Sequence, residues 1–281
     1  MNRTIRIAGW LAAIVFYLFP VAALGQTLVG TTWNERITLQ QDPNLEETLG
    51  PDTSVPEAIE DSVTFAGVLL HGKLTYGPPG PPKLTTYVEG LRTARVGPAA
   101  TNATTDGVVI FQFAVRQKSP PPVPVSAVDI DFAAHFTTSA DGSAPCSGCA
   151  LDADPTALTV FVVTTEHDTL VSHAVTSASF KGNQSFELSE THSLAPGEVA
   201  NGSIHALSLV KMTQTAPAQW GNATATISTG FSVSNGLIPG TTAKYSDYFR
   251  IEYGRDYFAL GNPTPVRATT WGKIKSLYSN P

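Results

Sequence analysis

The feature that most constrains the fold of this chain is a series of short runs in which apolar and polar residues alternate. The clearest run is Val128–Phe136, whose even positions are apolar and whose odd positions are mostly polar. Ala223–Ser228 repeats the pattern with small apolar and hydroxyl residues. A period of two residues places neighbouring side chains on opposite faces of a strand, so one face is buried and the other solvated. This alternation is typical of antiparallel sheets.

Runs of this kind follow one another from Ser62 onward, separated by turn residues, and they predict about ten strands. The predicted strands are Val63–Leu70, Leu84–Val88, Val108–Val115, Val125–Phe136, Leu158–Thr164, Leu170–Phe180, Ser185–Leu188, Ile204–Val210, Ala223–Val233 and Tyr248–Leu260. Two proline runs, 77–82 and 119–124, lack most of the donors that a strand needs and predict stiff connectors. Trp271–Tyr278 is the best helical candidate. We therefore predict one all-β domain over residues 62–281, an antiparallel β-sandwich or jelly roll.

The first 25 residues have the pattern of a secretory signal peptide. Arg3 and Arg6 form a positive start, Ile7–Phe19 is an uncharged apolar run, and small residues at 23 and 25 suit signal peptidase. The run is too short for a stable membrane span, and no cysteine near the cut offers a lipid anchor. We expect cleavage near Gly25 and a secreted protein, extracellular or periplasmic, with no membrane anchor.

The charge balance after cleavage limits the class of partner. The signal peptide holds two of the 17 basic residues and no acidic residue, which leaves 15 basic against 23 acidic residues. Phosphate-rich partners need a basic surface. We therefore exclude nucleic acid and anionic membranes as partners.

Residues 26–61 form an acidic lead-in to the predicted domain. Asp42–Asp61 holds seven acidic residues, no basic residue and three prolines. Few apolar side chains are present to offset the entropy of ordering, so we predict a mobile segment and a packed domain that begins near Val63. The alternative is that Trp33, Ile37 and Leu39 dock as an edge strand.

The two cysteines, Cys146 and Cys149, are predicted to form an intramolecular disulfide after export. A redox dithiol would place the first cysteine at a helix N-terminus, but the acidic sequence 151–155 that follows reads as a loop. A zinc site would need two further ligands from distant histidines, and no spacing supports it. We therefore prefer the disulfide to the redox dithiol and the zinc site.

Three aspartates near the cysteines make a candidate calcium site. Asp141, Asp152 and Asp154 could supply hard oxygen ligands from a short stretch, although the EF-hand pattern is absent. We predict no other cofactor and no other metal site. Glu166–Asp168 is dense in titratable groups, but its place between two strands predicts a hairpin turn.

Aromatic residues near the C-terminus are candidates for stacking on sugars. Tyr248, Tyr253 and Tyr257 alternate in a way that would leave some of them exposed and others in the core. We assign no catalytic residue, because no nucleophile elbow, phosphate loop or dinucleotide motif is present. The two catalytic carboxylates of a glycosidase are recognised by their separation in the folded protein and not by sequence spacing. A glycosidase site therefore stays an open alternative.

Part of the chain resembles a family. Phe186–Leu188, a Leu-x-Pro-Gly-Glu turn at 194–198, and the strands at 204–210 and 223–233 resemble secreted bacterial β-sandwich proteins that often carry a PEP-CTERM sorting tail. The tail itself is absent from this sequence. The resemblance implies an exported β-sandwich protein and no particular reaction.

Two functional hypotheses follow. The first is a secreted non-catalytic β-sandwich with an extracellular interaction or matrix role, whose partner is an extracellular polysaccharide or protein. The alternative is a carbohydrate-binding module or glycoside hydrolase. A groove lined by three exposed aromatics, or two facing carboxylates, would favour the alternative; a flat, hydroxyl-covered surface with buried aromatics would favour the first.

Overall fold

Two antiparallel sheets pack face to face in a computed structural model that describes residues 28–29, 31–41, 45–49, 58–65, 68–76, 82–92, 101–142, 153–178, 183–212 and 219–254. The strands are β1 (Thr32–Gln41), β2 (Leu45–Leu49), β3 (Ile59–Phe65), β4 (Val68–Tyr76), β5 (Lys83–Arg92), β6 (Thr101–Gln117), β7 (Val128–Gly142), β8 (Ala153–Thr164), β9 (Thr169–Ala178), β10 (Gln184–Leu194), β11 (Val199–Met212), β12 (Gln219–Val233) and β13 (Phe249–Tyr253). A single turn of helix, α1 (Tyr245–Tyr248), precedes β13. The predicted antiparallel β-sandwich is confirmed.

The strand order divides the chain between a seven-stranded and a six-stranded sheet. Sheet A has the order β2-β1-β6-β11-β8-β9, and β13 pairs with the end of β6. Sheet B has the order β10-β7-β12-β5-β4-β3. The 17-residue β6 pairs with β1 over Thr101–Ile110 and with β13 over Phe113–Gln117, so its length accommodates two neighbours on one edge. No helix among the described residues is long and apolar enough to cross a membrane.

The core lies between the sheets and is centred on aromatic rings. Phe231 of sheet B is 5.5 Å from Phe111, 5.4 Å from Phe113 and 5.8 Å from Phe161, all of sheet A, measured between ring centroids. Phe132 meets the same ring edge to face at 5.6 Å. Burying a phenylalanine side chain is worth about 1.5–3 kcal/mol, so this cluster is a main source of attraction between the sheets.

Two pairs of hydroxyl groups also join the sheets inside the core. Thr86 Oγ1 lies 2.9 Å from Ser208 Oγ, and Thr138 Oγ1 lies 2.7 Å from Ser177 Oγ. Each serine hydroxyl donates in addition to the backbone carbonyl of its threonine, at 3.1 Å and 3.2 Å. All four side chains are buried. Because each hydroxyl has a partner, these polar groups avoid the usual cost of burial.

The N-terminal part of the chain corrects the predicted start of the packed domain. β1 pairs with β6 over ten residues, and its Ile37 and Leu39 are fully buried. The Tyr76 hydroxyl of sheet B donates to the buried Glu35 carboxylate of β1 at 2.5 Å. Burial and this carboxylate raise the pKa of Tyr76. The packed domain therefore includes the segment from Thr32, which precedes the predicted start near Val63, because three inward-facing side chains of β1 anchor it.

Each of the ten predicted strands overlaps a strand of the structure, but β1 and β2 were not predicted and some boundaries were wrong. The predicted strand Val63–Leu70 is divided between β3 and β4, which pair as neighbours. The proline run Ser119–Pro124 is an irregular connector between β6 of sheet A and β7 of sheet B, as predicted. Pro196 and Gly197 form the predicted turn, where Gly197 has a φ of 91° and Glu198 N–H donates to Ala195 O at 3.0 Å. Trp271–Tyr278 lies outside the described residues.

Candidate interaction face

The outer face of sheet B is dominated by hydroxyl side chains. Ala223, Ala225 and Ile227 of β12 are buried, so the residues between them point to the opposite side of the sheet. The same alternation runs through β4, β5 and β7. We call this surface the hydroxyl face; its central members are Thr75, Thr85, Tyr87, Glu89, Thr137, Ser139, Asn222, Thr224, Thr226 and Ser228.

A single row of hydroxyl residues crosses five strands at the centre of this face. In register across the sheet, the row runs through Thr75, Thr85, Thr226, Thr137 and Ser185. Adjacent strands lie about 4.8 Å apart, so the row is about 19 Å long. The Thr226 hydroxyl donates to Thr85 Oγ1 at 3.1 Å. The row is a strip of small uncharged donors and acceptors.

Several acidic side chains of this face are paired with residues of neighbouring strands. The pairs are Ser193 with Asp129 at 2.6 Å, Thr191 with Asp131 at 2.8 Å, His135 with Glu187, and Lys73 and His71 with Glu60 at 2.7 Å and 3.0 Å. The hydrogen bond from Lys73, and then that from His71, lower the pKa of Glu60. Asp129, Asp131 and His135 thus share one face, and each has a partner on β10.

Three exposed apolar residues lie side by side at one end of the hydroxyl face. Trp220 of β12 is opposite Leu91 of β5, which is opposite Leu69 of β4. Their exposed fractions are 42%, 37% and 37%. They are three of the six large apolar residues that are exposed in the described part of the chain. We call Trp220, Leu91 and Leu69 the apolar row.

A polar row runs beside the apolar row, two residues further along each strand. It consists of Asp141, Asn222, Glu89 and His71, which are opposite one another in register. The Tyr87 hydroxyl donates to Glu89 Oε2 at 3.1 Å. Burial of the tyrosine, and then the nearby Glu89 carboxylate, raise the pKa of Tyr87 to about 12. The His71 ring meets the Tyr87 ring edge to face at 5.7 Å. The neighbouring Tyr87 therefore fixes the position of the Glu89 carboxylate.

A second cluster bridges the two sheets where β9 and β10 form their adjacent edges. Glu190 of β10 contacts His173 Nε2 of β9 at 3.1 Å and His192 Nε2 at 3.2 Å, one imidazole on each carboxylate oxygen. The hydrogen bonds from His192 and then His173 lower the pKa of Glu190. Phe186 stacks on His173 at 5.3 Å. We call these four residues the edge cluster.

Among the described residues no group of three histidine, cysteine or acidic side chains is arranged to hold a metal ion.

An open cavity of about 400 Å³ lies beside the proline connector. It is lined by Gln117, Pro121, Pro122, Val123, Pro124, Val125, Pro196 and Phe249. Specific ligand sites combine an apolar wall with a few convergent polar groups. Gln117 is the one polar side chain that this lining offers, so the cavity does not define a ligand chemistry.

The predicted sugar-stacking tyrosines are packed against the core. Tyr253 lies near Phe113 and Phe231, and its hydroxyl donates to Phe231 O at 3.2 Å. Burial raises the pKa of Tyr253 to about 12. Tyr248 is half-buried and packs against the core cluster. The two rings described are therefore occupied by internal contacts, and Tyr257 lies outside the described residues.

The two candidate calcium ligands that the structure describes lie on strands of different sheets. Asp141 is exposed at the end of β7 in sheet B, where its Oδ1 accepts from Gly142 N–H at 2.9 Å. Asp154 belongs to β8 in sheet A, opposite Lys211. Asp152 and both cysteines of the predicted disulfide, Cys146 and Cys149, lie outside the described residues, so these predictions stand as made.

The turn at Glu166–Asp168 has the predicted hairpin geometry. Its three side chains are exposed, and the Thr165 hydroxyl accepts hydrogen bonds from the backbone N–H groups of His167 and Asp168. Thr165 N–H also donates to Asp168 O at 2.8 Å. The titratable side chains of this segment therefore belong to a tight turn.

Neither the apolar row nor the edge cluster was predicted from the sequence. The row has a local signal, since Trp220 occupies the polar phase of β12 in the pattern Trp-x-Asn-x-Thr-x-Thr. The partners Leu91 and Leu69 are fixed only by strand register, which the sequence alone does not give. The edge cluster forms because β9 and β10 are edge strands of the two sheets, and this strand order is not evident from the sequence. No family model and no curated protein matches the chain.

Proposed function

We propose that the chain is a secreted, non-catalytic β-sandwich protein that makes extracellular contacts through its hydroxyl face. The observation that carries this proposal is the hydroxyl row across five strands, with Asp129, Asp131 and Glu187 of the same face hydrogen-bonded between β7 and β10. A surface of this kind offers many weak hydrogen-bonding groups to a hydroxyl-rich or amide-rich partner. It suits recognition along an extended polymer more than chemistry at one atom.

Export is supported by the first 25 residues, with their positive start, apolar run and small residues before Gln26. The resemblance to secreted bacterial β-sandwich proteins supports the same location. The surplus of acidic residues after cleavage disfavours polyanionic partners, because like charges repel during association.

The alternative function, a carbohydrate-binding module or glycoside hydrolase, receives uneven support. Trp220 and Phe186 are the exposed large aromatic residues of the described chain, and they lie at different places on the sandwich. A groove with three exposed aromatics is therefore not found among the described residues. The position of Trp220 beside Leu91 and Leu69 supports the binding-module form of this alternative.

The test uses the full chain expressed with its own leader in a bacterial host. We expect the exported protein to begin at Gln26, to be depleted from solution by at least one member of a panel of polysaccharides and matrix extracts, and to release no reducing ends. A chain that stays in the cytoplasm, binds nothing in the panel, or degrades a substrate would overturn the proposal.

A further inference from the structure

We propose that the apolar row and the polar row together form a binding site for a neutral polysaccharide chain. The inference rests on the proposed function and names the partner class of the hydroxyl face. It is carried by two parallel rows of opposite chemistry on one rigid sheet.

The apolar row offers a ridge on which sugar rings can lie. Trp220, Leu91 and Leu69 are directly opposite one another on three adjacent strands, and each is more than a third exposed. With strands about 4.8 Å apart, the ridge is about 10 Å long. A pyranose ring presents C–H groups on its faces and hydroxyl groups at its rim, so consecutive rings can rest on consecutive ridge residues.

The polar row lies beside the ridge, within reach of the hydroxyl groups of sugar rings that rest on it. Two residues along a strand advance about 7 Å, so Asn222, Glu89 and Asp141 run parallel to the ridge at that spacing. Asn222 offers both an amide donor and an amide acceptor, and the two carboxylates offer acceptors for sugar hydroxyls. The Tyr87 hydroxyl donates a 3.1 Å hydrogen bond to Glu89 Oε2 and restrains this carboxylate. Less side-chain entropy is therefore lost when a ligand binds.

The charges beside the ridge select a neutral polymer. Glu89 and Asp141 are acidic, and the mature chain has 15 basic against 23 acidic residues. A uronate or sulfate group would meet like charge at this site. A phosphate backbone would be rejected for the same reason. The site therefore fits glucans, xylans or chitin in preference to acidic glycans.

The experiment measures depletion of the mature protein by cellulose, chitin, xylan and a soluble β-glucan, with alginate as the acidic comparison. We expect binding to at least one neutral polymer and none to alginate. Trp220→Ala should weaken that binding at least about tenfold, because a truncated aromatic anchor removes most of the contact. Asn222→Ala should weaken it by a smaller factor, and Trp220→Phe should retain more binding than the alanine variant.

Phe186→Ala is the matched control, since it removes the other exposed aromatic residue and lies outside both rows. It should change binding less than about twofold. Circular dichroism and thermal melts confirm that each variant folds. Equal binding by wild type and Trp220→Ala overturns this inference. Preference for alginate, or binding only to a protein partner, also overturns it but leaves the proposed extracellular role standing. No binding to polysaccharide or matrix overturns both.

Discussion

The outer faces of the two sheets are built from the same kind of strand but have opposite chemistry. Sheet B presents the hydroxyl face, with threonines, serines and paired ions. Sheet A presents aliphatic side chains at the equivalent positions of its central strands, and we call this surface the aliphatic face. Its large members are Val108, Ile110, Leu158, Val160, Val162, Leu207 and Leu209.

The difference is visible in the sequence of the strands. β6, β8 and β11 carry apolar residues in both phases of the alternation, which is typical of strands that are covered on both sides. β5, β7 and β12 alternate between inward apolar residues and outward residues that are mostly polar. Val160 and His205 lie on the aliphatic face with exposed fractions of 6% and 8%. Most members of both outer faces are partly exposed, so the two faces differ in the chemistry of their side chains and in the burial of Val160 on the aliphatic face.

The largest expected effect separates these faces with one matched pair of substitutions. Val160→Asp places an unpaired carboxylate at a buried position and should lower the free energy of unfolding by about 3 kcal/mol or more. Thr224→Asp is the matched substitution on the hydroxyl face, and it lowers strand propensity by a similar amount. It should lower the free energy of unfolding by about 1 kcal/mol. Chemical denaturation measures both. Equal losses would show that the two faces do not differ in this way.

The next effect compares hydroxyl pairs inside and outside the sandwich. Ser208→Ala should cost about 1–3 kcal/mol, because the buried Thr86 hydroxyl loses its partner. Adding Thr86→Val should recover part of that loss, since both polar groups are then gone. Thr226→Ala, which removes the hydrogen bond to Thr85 on the hydroxyl face, should cost about 0.5 kcal/mol. The ranking fails if the exposed pair proves as costly as the buried one.

A smaller effect concerns pH at the edge cluster. The hydrogen bonds from His192 and His173 hold the pKa of Glu190 below its ordinary value, so the folded state favours the carboxylate. The resulting stability is present above the unfolded pKa and is lost as pH falls through the lowered folded value. Because the Glu190 side chain is 37% exposed, solvent screening should keep its contribution below about 1 kcal/mol.

Denaturation of wild type and Glu190→Gln at several pH values measures this contribution. The variant should be less stable near neutral pH, and the difference should shrink as the solution is acidified below about pH 4. A difference that grows as the pH falls below about 4 would contradict the assigned role of the two imidazoles.

The sequence was sufficient for the fold class because the alternation in strands such as β7 and β12 is long and regular. It misplaced the start of the domain because β1 contributes only a few apolar side chains, and their burial depends on pairing with β6, which is remote in sequence. The apolar row was missed for a related reason. Strand register brings Trp220, Leu91 and Leu69 together, and local pattern carries no information on register between distant strands.

The most direct test of the proposed interaction face compares lysine substitutions on the two outer faces, measured with a polysaccharide that the full chain is found to bind. Asn222→Lys changes a residue that belongs to both the hydroxyl face and the polar row, whereas Thr176→Lys changes an exposed residue of β9 on the outer face of sheet A. We predict that Asn222→Lys weakens binding at least about tenfold and that Thr176→Lys leaves it unchanged. Loss of binding in Thr176→Lys with full binding in Asn222→Lys would contradict the account.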